Sequence, residues 1–149
     1  MSLESIIRDA LAAMSAVTAI VGTGNSARIR SDRFHDGDIV DADGVSQPAI
    51  MIDVTNEDKQ NDLSGVGGAS FAAVAISCVA PTRVDARALA EAVRTNGTNP
   101  GTGMAGYSGT YFHSTVESIA TTFIPIEDGS DEGWYQCVLN CEVFTTETT

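Results

Sequence analysis

Cations are scarce in this sequence. Eight lysines and arginines stand against twenty aspartates and glutamates, a formal net charge of −12. No dense basic cluster occurs anywhere along the chain. Nucleic-acid binding draws its affinity from Lys and Arg placed on phosphates, so the composition argues against a DNA-binding function. It does not argue against a place beside DNA, since a negative wall suits a passage that DNA must traverse without sticking. Cysteine is equally sparse. Cys78, Cys137 and Cys141 are an odd number with no C-x-x-C pair, which is neither a disulfide framework nor a zinc-site spacing. All three fall within apolar strand patterns and read as small buried hydrophobes. No apolar run approaches the roughly 20 residues needed to span a bilayer. The opening segment MSLESIIRDALAAM is interrupted by Glu4, Arg8 and Asp9 at helical intervals, unlike a secretory leader. The expectation is an unexported protein made in a cytoplasm, with no membrane contact.

Catalytic constellations are missing as well. His35 lies in a loop beside Asp36 and Asp38, and His113 lies in a strand pattern; both read as surface histidines. The stretch DGDIVDADG (residues 36–44) invites a calcium reading, because hard cations want several carboxylates on a tight loop. Asp41, Asp43 and Gly44 match only a fragment of the EF-hand pattern, so a solvated acidic loop is the better reading. The glycine-rich stretches GVGGAS (65–70) and GTGMAG (101–106) lead into strands and lack the G-K-[ST] ending of a phosphate loop. No G-x-S-x-G elbow is present. No catalytic residue, cofactor site or metal ligand is assigned, and the protein is not expected to be an enzyme.

What is present is patterning. With 149 residues, 43% of them hydrophobic, the chain is expected to form one globular domain spanning 1–149. Residues 3–14 carry apolar side chains at three- and four-residue steps (Leu3, Ile6, Ile7, Ala10, Leu11, Met14), an amphipathic helix with Ser2 as N-cap. Val17, Ile20 and Val21 continue it until Gly22 and Gly24. Residues 28–47 are polar and irregular. AIMIDVTN (49–56) alternates as a strand, and 57–70 reads as a long hairpin loop. FAAVAISCV (71–79) is nearly all apolar, the signature of a strand covered on both faces. A helix follows Pro81 and ends near Thr95, with Thr82 and Asp85 approximating a capping box. The glycine-rich stretch 96–110 is read as a flexible loop. A strand at 111–126, an acidic turn at 127–133 and the cleanly alternating strand 134–144 complete the chain, apart from a frayed TTETT tail. The predicted fold is α+β: a four-stranded, mainly antiparallel sheet with two helices packed on one face, in the order helix-strand-strand-helix-strand-strand. Flexible loops are expected near 35–47, 57–70 and 96–110.

The order of these features resembles the tail-terminator, or tail-completion, proteins of long-tailed bacteriophages. The resemblance covers most of the chain. It runs from the glycine-stopped helix VTAIVGTG (17–24) through ARIRSDRF (27–34), the proline-led strand QPAIMIDV (47–54) and the Leu-x-Gly element DLSGVGG (62–68). It ends with the helix ARALAEAVR (86–94) and the strand YQCVLNCEVF (135–144). The acidic stretch 36–44 and the loop 96–110 are longer than that pattern. The resemblance implies a virion protein of the tail or neck, forming a ring of usually six copies. Such a ring caps the tail tube and joins it to the head-side connector or stopper. Its partners would be itself, the tube protein and the connector, with DNA passing through unbound. Candidate contact residues are Leu63 and Gly65 in the Leu-x-Gly element, Ala69, Met104, Tyr107 and Trp134. Two other readings stand beside it: another neck or tail component, such as a head-closure or tube-like protein, and a metal-binding module using the acidic loop.

Overall fold

The structure is a computed structural model that describes residues 3–22, 28–30, 48–62, 65–97, 103–108, 112–125 and 133–146. Ser2, His35, the acidic stretch 36–44, Leu63 and most of the acidic turn at 127–133 lie outside the described residues.

Among the described residues six strands form one sheet in the order β1-β2-β3-β6-β5-β4, with three helices, so the expected four strands and two helices are corrected. The elements are α1 (Leu3–Ala12), α2 (Ser15–Val21), β1 (Ile29–Arg30), β2 (Ala49–Asp62), β3 (Gly65–Ala80), α3 (Arg83–Thr95), β4 (Tyr107–Ser108), β5 (Phe112–Pro125) and β6 (Gly133–Thr146). The sheet is mixed and curled. β1 runs parallel to β2, pairing Ile29 with Ile50, and the remaining neighbours are antiparallel. The two extra strands are two-residue pieces at the sheet edges, too short for any period to show in sequence. The third helix arises because the N-terminal helix breaks at Met14, whose backbone is extended at φ −82°, ψ 114°. Neither Gly nor Pro marks that break.

The strands are longer than their apolar cores. The polar stretch expected as the loop 57–70 is instead an extension of the β2–β3 hairpin, with Asp58 opposite Phe71 and Asp62 opposite Gly65. A bulge between Val54 and Asn56 shifts the register along the way. Backbone pairing decides here over polar side-chain composition.

All three helices contribute to one core on one face of the sheet. α1 packs on β2, while α3 packs on β3 and β6 and touches α2. The alternation expected in β6 holds: Cys137, Leu139, Cys141 and Val143 are buried. Ile52, Ile76, Leu139 and Ile119 are neighbours in register across β2, β3, β6 and β5. On the helix side, Ala86, Leu89, Ala90 and Val93 are fully buried. Thr82 caps α3 as expected, its side-chain oxygen accepting from the Asp85 N–H at 3.2 Å. Asn96 ends the helix in the left-handed conformation (φ 51°), and its Oδ1 accepts from the Ala16 N–H at 3.0 Å, tying α2 to α3.

Arg28 is a clamp within the fold. Its Nε donates to the Pro48 carbonyl at 2.8 Å and an Nη to the Ile20 carbonyl at 2.7 Å. It therefore joins the end of α2 to the start of β2. The arginine-led segment of the sequence is at least partly architectural.

Cys78, Cys137 and Cys141 are free and buried, as their strand positions suggested. Burial pushes the Cys78 thiol well above its ordinary range, with Cys137 and Cys141 adding to the shift. Cys141 is pushed up from 9.0 to about 12, by burial first and by Glu117 second. The fold thus favours the neutral thiol, since a buried thiolate is unsolvated. The sign follows from linkage. Unfolded chains lose these protons first, so the stabilisation is complete below pH 9.0 and declines as pH rises towards about 12. Native protein at about pH 8 is expected to resist a thiol-specific reagent, and all three cysteines to react once denatured. Unfolding midpoints are expected to fall above about pH 9, measured by thermal denaturation across the alkaline range.

Candidate interaction surface

The sheet face turned away from the helices differs along its length. At one end Ala49, Ser77 and Val79 are buried. Towards the β2–β3 hairpin Asn56, Ala73, Asn140 and Glu142 are exposed. The expectation that residues 71–79 are covered on both faces therefore holds only for the second half of the strand. Near the middle of this face polar side chains tie strands together: Gln136 Nε2 donates to Ser77 Oγ at 2.9 Å, and Asn140 Nδ2 donates to Ser118 Oγ at 3.0 Å.

At the exposed end an aromatic row crosses three strands. Phe71 of β3 and Phe144 of β6 stand directly opposite each other with ring centroids 5.0 Å apart. His113 of β5 lies 6.3 Å from Phe144 on the other side. Beside this row the curl of the sheet and the bulges at Val54/Asn56 and Val116/Ser118 open two concavities. One, of about 300 Å³, is lined by Asn56, Phe71, Ala73, Glu117 and Glu142. The other, of about 270 Å³, is lined by His113, Thr115, Glu142 and Phe144. Each has a phenylalanine and the Glu142 carboxylate in its lining, and the larger adds Glu117. Among the described residues, neither concavity is lined by Lys or Arg. Arg30 shares the register of Met51 at the far β1 edge.

The opposite charge collects on α3. At 3.6 residues per turn, Arg83, Arg87 and Arg94 fall within about 40° of one another around the helix axis. Arg94 is paired with Glu91 at 2.8 Å. Arg83 and Arg87 are exposed and make no ion pair among the described residues. Val84 beside them is 77% exposed, more than any other large hydrophobic residue described. Phe123 on β5 is 43% exposed and lies 5.1 Å from Tyr135, ring to ring.

The contact residues expected from sequence are scattered. Met104 is fully buried in the core of the chain itself, its carbonyl accepting from Ser114 Oγ at 2.7 Å. Tyr107 is half-buried and stacked on Phe112 at 4.6 Å. Trp134 is half-buried near the β5–β6 turn. Gly65 opens β3 opposite Asp62, and Ala69 pairs with Thr146, so both belong to the sheet rather than to a loop. Leu63 lies outside the described residues; of the other five, Met104 belongs to the core and Gly65, Ala69, Tyr107 and Trp134 to strands of the sheet. The aromatic row, the carboxylates around it and the arginine flank of α3 were not singled out in the sequence. The flank could have been found from the i, i+4 spacing of Arg83 and Arg87 around an exposed valine. The aromatic row depends on cross-strand register and leaves no sequence signal. Among the described residues no group of three or more His, Cys, Asp or Glu is placed to hold a metal ion, and no helix is long and apolar enough to cross a membrane. The acidic loop of the calcium reading lies outside them.

No family model matches this sequence, and no curated protein does. Among solved structures, the chain is similar to one from the virion of a native gene transfer agent particle. That likeness covers 98% of this chain and 96% of that chain, with a TM-score of 0.58 and 14% identity. At that identity it is a likeness of fold from end to end.

Proposed function

We propose that this chain is a structural subunit of a phage-like virion. More narrowly, we read it as a tail-terminator subunit whose ring, of six copies, caps the tail tube and joins it to the head-side connector. The observation that carries this reading is the end-to-end fold likeness to a virion chain of a gene transfer agent. A fold alone does not dictate function, but two further features support the same conclusion. The sequence elements follow the order of the tail-terminator pattern, and the net charge of −12 suits a ring through which DNA passes without binding. In this reading the protein performs no turnover and takes no cofactor. Its chemistry is adhesion to copies of itself and to its neighbours in a stack.

The test is electron microscopy of the purified protein, alone and mixed with tubes assembled from the cognate tube protein. Rings alone, and rings seated on tube ends in the mixture, are expected. A protein that stays monomeric at high concentration and shows no affinity for tubes overturns the proposal.

A further inference from the structure

We propose that copies of this chain join head to tail through two surfaces on opposite sides of the sheet layer. In this contact the α3 flank of one copy, carrying Arg83, Val84 and Arg87, seats on the open sheet face of the next, over the concavities whose lining includes Glu117 and Glu142. This interface deepens the ring reading and rests on it.

Four observations converge. First, the charges are complementary. A chain with a net charge of −12 repels its own copies at long range, so self-association needs its few cations placed against anions. Arg83 and Arg87 are exposed and make no ion pair among the described residues, and Glu117 and Glu142 are exposed on the far side. Second, the shapes are complementary. Val84 is an apolar side chain left 77% exposed, and the larger concavity, about 300 Å³, has Phe71 and Ala73 among its lining residues. An exposed apolar side chain beside two arginines, set against a hollow lined by both apolar and acidic side chains, resembles the mixed make-up of an interface centre and its margin. Third, both surfaces belong to this one chain, so the occupant that supplies the missing half is a second copy. A nucleic acid would meet carboxylates. Fourth, the two surfaces lie on different sides of the sheet, which makes the contact heterologous. Such contacts propagate into rings or filaments and do not close as two-fold dimers.

The test is charge reversal with restoration, read by native mass spectrometry and sedimentation at low ionic strength. R83E/R87E and E117R/E142R are each expected to weaken self-association at least about tenfold, because like charges then face each other across the contact. All four side chains are exposed, so thermal unfolding should be unchanged, and this control separates lost contact from lost folding. The chain carrying all four substitutions restores opposite charges and is expected to assemble again. Mixing the two double variants should restore assembly, with the two alternating around the ring, since each presents to the other a flank and a face of opposite charge while like variants repel. Raising the salt concentration should weaken the wild-type assembly. Four results overturn the inference. If both double variants assemble like wild type, the ring stands and its interface lies elsewhere. If each double variant fails and the fourfold variant fails too, these side chains do not meet. If E117R/E142R forms rings yet loses binding to tubes, the open face docks a different virion protein. A wild-type chain that never self-associates removes the ring reading and this interface with it.

Discussion

Replacing Leu139 by alanine is expected to lower stability by about 3 kcal/mol, within the roughly 2–5 kcal/mol seen for leucine truncation in cores. Leu139 is fully buried near the centre of β6. Its cross-strand neighbours are Ile76 on β3 and Ile119 on β5, and Ile52 continues the row on β2. The helix layer above it is held by Leu89 and Val93, both fully buried. Truncation removes apolar contacts from strands on both sides at once, and paired strands on each flank cannot collapse into the gap. For a chain of 149 residues the change should lower Tm by roughly 10 °C. Thermal unfolding and denaturant titration check it. A change within about 0.5 kcal/mol, the range of an ordinary surface substitution, would mean that the row is not packed as described.

The second large effect is expected at Gly103. The segment after α3 folds back on the helix end, where the Met104 N–H donates to the Val93 carbonyl at 2.8 Å and the Ala105 N–H to the Arg94 carbonyl at 2.9 Å. These bonds occupy carbonyls that a helix C-terminus would otherwise leave open. The chain can approach so closely only because residue 103 has no side chain. A Cβ there would stand 2.5 Å from the carbonyl carbon and oxygen of Arg94 and 2.6 Å from the Thr95 nitrogen. All three are backbone atoms and cannot rotate aside. Gly103→Ala is therefore expected to cost ~3 kcal/mol, the upper part of the usual overpacking range. Hydrogen exchange at Met104 and Ala105 should accelerate with it. Gly106→Ala is the control. That glycine has φ +82° and open space around its Cβ direction, so the left-handed backbone alone should cost about 1–2 kcal/mol. Equal effects at the two positions would contradict the close approach at Gly103.

Where the sequence was legible, period and capping made it so. The stripe of α3, the Thr82 cap and the alternation of β6 are strong local signals, and the structure follows them. The hairpin of β2 and β3 is longer than its apolar pattern indicates, because its outer half is polar and held by backbone pairing. The glycine-rich composition of the stretch 96–110 reads as a flexible loop. Residues 103–106 within it are in fact anchored by backbone bonds to the end of α3 and to Ser114. That anchoring depends on tertiary contact, which no local pattern announces. β1 and β4 leave no sequence signal because two residues carry no period, so the pattern indicates two strands fewer than the sheet has. The candidate surface was the least legible part. Phe71, Phe144 and His113 are far apart in sequence, and only the register of three strands brings them into one row.

The most direct measurement is a cryo-electron microscopy map of the intact particle in which this chain is placed. The expected result is repeated copies around the tail axis, between the last layer of the tube and the head-side connector. Absence from the purified particle, or a position in the capsid shell away from that axis, would contradict it.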